Sequence, residues 1–220
     1  MRIDLHCHTR YSRDSLITFD ALLRWMDHRG LDMVAVTDHN TIAGALEFRA
    51  LAPDRFVVGE EIKTRDGELI ALFLEEQIPP GLPAVDTIAR VHDQGGLVGA
   101  SHPLDRLRSE AMGRQKLQTI RKDLDFLEIL NSRTVLSGDN RMARETAVRW
   151  GLPGSAGSDA HAPFEVGRAY VEMPCFESPQ DFLDCLAQGQ VGGRQSSPFV
   201  HLATVYVKLR KQWEPERSKG

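Results

Sequence analysis

The chain has 220 residues, with 27 Lys and Arg against 31 Asp and Glu, for a formal net charge of −4. That length supports one sizeable core, and the near balance of charge excludes a broad basic field for long nucleic acid. No stretch approaches the length of a membrane span, and residues 1–8 lack the basic and apolar segments of a signal peptide, so a soluble, cytoplasmic protein is expected.

In chain order, the first predicted strand is Ile3–Cys7, followed by a helix with Phe19, Leu22, Leu23 and Met26 on one face and Gly30 as its stop. Strands are predicted over Met33–Val36, Phe56–Ile62 and Leu69–Leu74, then a helix through Ile88 and Val91 that ends before Gly95 and Gly96. Leu97–Ala100 and Phe126–Leu130 are the next strands, and Met142, Ala143 and Val148 mark a helix that stops at Gly151. Strands Leu152–Ala156 and Ala169–Met173 follow. "SPQD" then opens a last helix, with Ser178 as N-cap, Pro179 in the first turn and Asp181 completing a capping box, and it runs through Phe182 and Leu186 to Gly189. The alternation argues for an α/β protein with parallel strands. Seven or eight such units crowd an open sheet of this length, so a closed or nearly closed barrel is expected over residues 1–207, with a doubly wound sheet as the alternative. The charged tail 208–220 reads as a solvated end. Cys7, Cys175 and Cys185 lack disulfide or zinc-ribbon spacing and read as small core residues in a reducing compartment.

In α/β barrels the chemistry gathers where strands end. "DLHCHTRYSRD", residues 4–14, closes the first strand with two histidines one residue apart. Strict alternation puts Asp4, His6 and His8 on one face, pointing into the barrel, and Ile3, Leu5 and Cys7 on the other, packing outward against helices. Three buried polar groups without partners would cost roughly 1–3 kcal/mol each. A divalent metal held by both imidazoles, with Asp4 fixing a tautomer, satisfies them. Later strand ends offer more ligand-type side chains: Asp38 and His39 in "VTDHN", Glu61 in "VVGEEIK", His102 in "ASHP", Glu128, Asn131 and Arg133 in "EILNSR", and Asp159 and His161 in "AGSDAH". Together they predict a metal site. His28 and His92 lie near helix ends without a companion ligand and read as surface or capping residues, and His201 reads as structural.

The ordered motifs HCHTRYSRDS, TDHN, GEEI, SHP, EILNSR and GSDAH closely resemble the PHP (polymerase and histidinol phosphatase) superfamily, specifically its stand-alone metal-dependent phosphoesterases, from Asp4 to about Gly167. The resemblance implies a distorted (β/α)7 TIM-like barrel with two to three divalent ions at the strand ends. It implies a first metal on His6, His8, Glu61 and Asp159, a second shared by Glu61 and His102, and a third on Asp14, His39 and His161. Where other members often place a histidine for the second metal, this chain aligns Glu68. A carboxylate there makes the site harder and favours Mn²⁺ or Mg²⁺ over Zn²⁺, with Fe also among the candidates.

The reaction implied is hydrolysis of a small phosphate monoester, a nucleoside phosphate or bisphosphate first, by a hydroxide bridging the metals. Arg133 is expected to grip the phosphate oxygens through its planar fork, with Asn131 orienting the same group or hydrogen-bonding the backbone. Asp38, next to His39, is a candidate proton donor or orienting residue, and Glu128 a buried orienting residue. Arg10, Arg106 and Arg108 lie on loops near the mouth, within reach of a second phosphate or a sugar, but read first as solvated loop arginines. The alternatives are a 3'-5' exonuclease or phosphodiesterase acting on short oligonucleotides, an amidohydrolase, and a non-catalytic metal-stabilised binding module. The short span from His102 to Glu128 leaves no room for a cap domain.

Overall fold

Two helices begin at a side-chain cap that the sequence places, and two stop at a left-handed glycine. The computed structural model describes residues 1–197 together with Val200 and Val207. After β1 (Arg2–Cys7), helix α1 (Phe19–Arg29) starts at Thr18, whose hydroxyl accepts the Ala21 N–H, and stops at Gly30 with φ 63°. That left-handed angle suits glycine, which has no Cβ to clash. The next elements are β2 (Met33–Val36), α2 (Ala43–Arg49), β3 (Phe56–Lys63), β4 (Glu68–Leu72), α3 (Ala84–His92) and β5 (Leu97–Ala100). They are followed by α4 (Gly113–Ile120), β6 (Phe126–Asn131), α5 (Ser137–Trp150), β7 (Gly154–Gly157), β8 (Ala169–Glu172), α6 (Pro179–Ala187) and β9 (Gln190–Gly193).

Some local expectations change. Helix α4 and strand β9 carry few apolar residues, and α2 is only seven residues long, so none stands out in the sequence. Ser178 caps α6 by accepting the Asp181 N–H at 3.1 Å, but the Asp181 carboxylate accepts from Glu177, so the capping box is not reciprocal. In α5 the buried face is Ala143 and Ala147, while Val148 is 78% exposed. His201 and the 208–220 tail lie outside the described residues.

The strands form one sheet in the order β7-β6-β5-β4-β3-β2-β1-β8-β9. β1, β2 and β3 are parallel to one another, as are β5, β6 and β7. β4 runs antiparallel to both β3 and β5, and β8 and β9 are antiparallel to their neighbours, which corrects the all-parallel expectation. The reason at β4 is the length of its connection. Residues 64–67 are too few for a crossover, which needs about a dozen, but enough for a hairpin.

The sheet curls into a nearly closed barrel. At the C-terminal end of β1, the Asp159 N–H donates to the His6 carbonyl at 2.7 Å and the His8 N–H to the Ala160 carbonyl at 3.1 Å. At the other end of β1, Arg2 and Ile3 pair with β8. Ile3 and Leu5 belong to the apolar cluster that fills the barrel with Val57, Leu72, Phe126 and Ala156, completed by Phe182 and Leu186 of α6. Cys7 belongs instead to the cluster under the outer helices, with Ile17, Leu22 and Val36. Strict alternation along β1 therefore fails. The β1–β2 pairing shifts register between Asp4 and Cys7, and such an irregularity changes which face each side chain takes. Before the shift Ile3 and Leu5 point inward. After it His6 and His8 do.

Candidate metal centre

At the mouth of the barrel four donor atoms from three strand ends converge. His6 Nε2 and His8 Nε2 lie 3.1 Å apart. Glu61 Oε2 is 3.3 Å from each, and Asp159 Oδ1 is 3.7 Å from the first and 3.3 Å from the second. A tetrahedral ion with bonds of about 2.0–2.1 Å needs vertices about 3.3–3.4 Å apart, so the spacing fits a divalent cation. Glu61 Oε2 and Asp159 Oδ1 are buried without a hydrogen-bond donor among the described residues. Each would cost roughly 1–3 kcal/mol if nothing positive approached it.

The imidazoles are oriented from behind. His6 Nδ1 lies 3.0 Å from Glu128 Oε1, which leaves Nε2 aimed into the cage. His8 Nδ1 meets the Ser12 hydroxyl at 3.1 Å, and that hydroxyl donates to Asp38 Oδ1 at 2.6 Å. With its only hydrogen spent on Asp38, Ser12 accepts from His8 Nδ1, and Nε2 again points into the cage. Asp38 also accepts from the Thr9 N–H, the Thr9 hydroxyl and the Ser12 N–H. Both of its oxygens are thus committed to the 9–12 loop. Asp38 acts on His8 through Ser12 and is not placed to hand a proton to substrate. Asp4 does not fix a histidine tautomer either: its buried carboxylate accepts backbone N–H groups of His6, Ser158 and Gly167 and ties β1 to the loop after β7.

Glu61 faces two further groups of donors. Its Oε1 lies 3.1 Å from His102 Nε2 and accepts the Ser101 hydroxyl at 2.6 Å, and Glu68 Oε2 is 3.5 Å from the same His102 nitrogen. Glu68 reaches the mouth because β4 runs backwards, so its first residue rather than its last stands there. On the other side His39 Nδ1 is 3.0 Å from Glu61 Oε2, and its Nε2 is 3.6 Å from Asp14 Oδ1. Asp14 Oδ1 also lies 3.4 Å from His161 Nε2. His161 Nδ1 donates to the Asp159 carbonyl at 2.8 Å, so Nε2 and Asp14 face each other as two acceptors. Among the described residues three donor groups could hold an ion: His6, His8 and Glu61; His39, Glu61 and Glu68; and His8, His39 and His161. His102 and Asp159 have positive φ, 28° and 53°, a strained backbone for residues with a Cβ.

The charges match this geometry. Burial opposes the ionised forms, but His6, His39 and His102 hold the Glu61 carboxyl well below its usual range. Burial likewise opposes Asp159, which Arg108, His6 and His8 hold well below its usual range. Burial alone would lower His8, yet the adjacent Asp159 and Glu61 carboxylates push it up to about 9. Glu68, buried and close to Glu61, is pushed up to about 9. His161, buried beside His8, is lowered to about 3 and is neutral at ordinary pH, as a ligand must be. Protons on His8 and Glu68 stand where a cation would.

Residues 4–71 match the PHP domain family, and residues 138–191 match a second family described as PHP-associated. Two uncharacterized proteins of Methanocaldococcus jannaschii are close in sequence. MJ1587 is 38% identical over 145 residues, covering 60% of this chain and 82% of that protein. MJ0417 is 34% identical over 196 residues, covering 84% of this chain and 79% of that protein. The chain belongs to the PHP family. This PHP domain has, among the described residues, donor groups able to hold a metal ion.

Solved structures share the PHP fold at low identity. A two-domain protein from Bacteroides vulgatus containing a predicted PHP-like metal-dependent phosphoesterase superposes with TM-score 0.73 and 19% identity, over 88% of this chain and 65% of that one. The lesion-specific endonuclease EndoQ of Pyrococcus furiosus gives 0.60 and 19%, over 87% and 58%. An amidohydrolase from Chromobacterium violaceum gives 0.61 and 19%, over 84% and 96%. Neighbours of such different description show a shared fold and leave the reaction to the site.

Within this PHP site the polar residues after β6 do not face a substrate as expected. Asn131 spends Nδ2 on Glu128 and Asp159, both at 3.2 Å, and Oδ1 on the Arg133 N–H, so it braces the centre. The Arg133 guanidinium is buried beside Glu165 at 3.5 Å and donates to the Val200 carbonyl. Arg106 pairs with Asp139 and Arg10 with Glu47. His92 pairs with Asp125, and His28 packs edge-on against Trp25. Cys7 and Cys185 are buried, but Cys175 is exposed, against its reading as a core residue. Sequence reasoning passed over Ser12 and Ser101, for which the available signal was adjacency to the motifs HCHTRYS and SHP. Arg108, read first as a solvated loop arginine, instead pairs with Asp159.

Proposed function

We propose that this PHP enzyme hydrolyses a small phosphate monoester, with nucleoside phosphates and bisphosphates as first candidates, using two to three divalent ions. The observation that carries the reading is Glu61, a single buried carboxylate with one oxygen among His6, His8 and His39 and the other facing His102. One carboxylate shared by adjacent donor groups is the arrangement that holds metal ions side by side. Bound there, such ions would acidify a water to supply the nucleophile and would neutralise charge on the phosphoryl oxygens. Glu68 in the second group makes it harder and more anionic, which favours Mn²⁺ or Mg²⁺.

The chain's own residues prepare this chemistry. Glu128 and the Ser12–Asp38 pair hold both imidazole lone pairs inward, and the backbone of β1 and the 158–161 loop fixes their spacing. His39 has a side chain 27% exposed, so solvent and substrate approach from its side, while His6, His8 and His102 are closed off. A net charge of −4 supports a small, locally gripped substrate over a long polyanion.

The test is phosphate release from a panel of nucleoside mono- and bisphosphates, sugar phosphates and a short oligonucleotide, by chelated protein and again with Mn²⁺ restored. Turnover of a monoester that needs metal and disappears in His8→Ala supports the reading. Turnover of the oligonucleotide alone replaces it with the diesterase reading, and no turnover with metal bound replaces it with the binding-module reading.

A further inference from the structure

Arg108 stands on the loop between β5 and α4, with a side chain 21% exposed. Its Nη2 donates to Asp159 Oδ2 at 2.5 Å, and its Nε lies 3.5 Å from Asp105 Oδ2. Asn131 holds the same Asp159 oxygen at 3.2 Å, so Asp159 offers only Oδ1 to the cage. The loop is built rather than loose. Arg106 binds Asp139 of α5 through its backbone N–H and Nε, the Glu68 N–H donates to the Glu110 carbonyl at 3.0 Å, and the Gly113 N–H donates to the Pro103 carbonyl at 2.9 Å.

A guanidinium has five N–H donors in a planar fork. Arg108 directs one to Asp159 and one towards Asp105, and the rest have no acceptor among the described residues. Arg133 differs, being 3% exposed and turned to Glu165 and the Val200 carbonyl.

We propose that Arg108 is the residue that takes the substrate's phosphoryl group, holding Asp159 with one edge of its fork and the non-bridging phosphate oxygens with the other. The proposal rests on the phosphoesterase reading. A planar fork serves two anions at once, whereas an ammonium offers a point charge.

The test is calorimetric titration of inorganic phosphate into Mn²⁺-loaded wild type, Arg108→Lys and Arg108→Gln, with metal content per chain measured on each. Loss of a charge-assisted pair predicts roughly 10- to 100-fold weaker phosphate binding in Arg108→Gln, a smaller loss in Arg108→Lys, and unchanged metal content. If Arg108→Gln fails to fold, the Arg108→Lys loss carries the test. Equal phosphate affinity in wild type and variants overturns the proposal and leaves the phosphoesterase reading standing. Metal loss with phosphate affinity unchanged at loaded centres makes Arg108 a strut for Asp159 and also overturns it. A wild type that holds metal but binds no phosphate overturns both.

Discussion

Glu128 Oε1 lies 3.0 Å from His6 Nδ1, and its other oxygen accepts the His102 N–H at 2.6 Å, so one buried carboxylate braces histidines from two donor groups. Removing it frees the His6 ring to rotate and to swap tautomers. Glu128→Ala is expected to weaken metal binding about 10- to 100-fold, read by competition with a chelating dye. An affinity equal to wild type would show that packing alone orients His6.

Metal binding should expel protons. His8 is pushed up to about 9, and a ligand imidazole must be neutral. Below pH 9 the cation therefore displaces a proton from His8. Glu68, also at about 9, gives up another. Apparent affinity should rise with pH up to about 9, and calorimetry in buffers of different ionisation enthalpy should report at least one proton released per chain at pH 7.5. A binding enthalpy independent of buffer would refute this.

Glu60 lies next to Glu61 but on the other face of β3. It is buried, with Oε2 accepting the Ile78 N–H at 2.9 Å and Oε1 without a donor among the described residues. Burial pushes its carboxyl up to about 7 from 4.5. Between those values the folded state binds the extra proton, so stability falls as pH rises from about 4.5 to 7 and stays reduced above. Glu60→Gln is expected to be more stable than wild type by about 1–3 kcal/mol at pH 8 and equal to it near pH 4.5. Denaturant unfolding at both pH values checks the sign.

Gly157 closes the barrel against β1. A Cβ there would sit 2.2 Å from the His6 Cβ and 2.7 Å from its backbone nitrogen. Backbone cannot swing aside as a side-chain end can. Gly157→Ala should cost about 2–3 kcal/mol, lower the melting temperature by roughly 5–10 °C, and push His6 out of the cage. A melting temperature and metal content like wild type would show that the seam yields.

Much of this protein was legible locally. Met33–Val36 and Leu97–Ala100 are strands at the predicted bounds, and Gly30 and Gly151 end their helices with left-handed angles, because apolar runs and capping residues act within a few positions. The sequence also determined which ligand-type side chains stand at strand ends, and so the PHP family.

Only the tertiary structure decided which way those side chains face. The register shift in β1 reverses the inward face between Leu5 and His6, and the hairpin into β4 carries Glu68 to the mouth. Asn131 is spent on Glu128 and Asp159, and Arg108 reaches Asp159 across 51 residues of chain. Strand phase, strand direction and long-range pairing depend on which segments meet once the barrel closes. A linear pattern records what each segment is made of but not which segment it will touch.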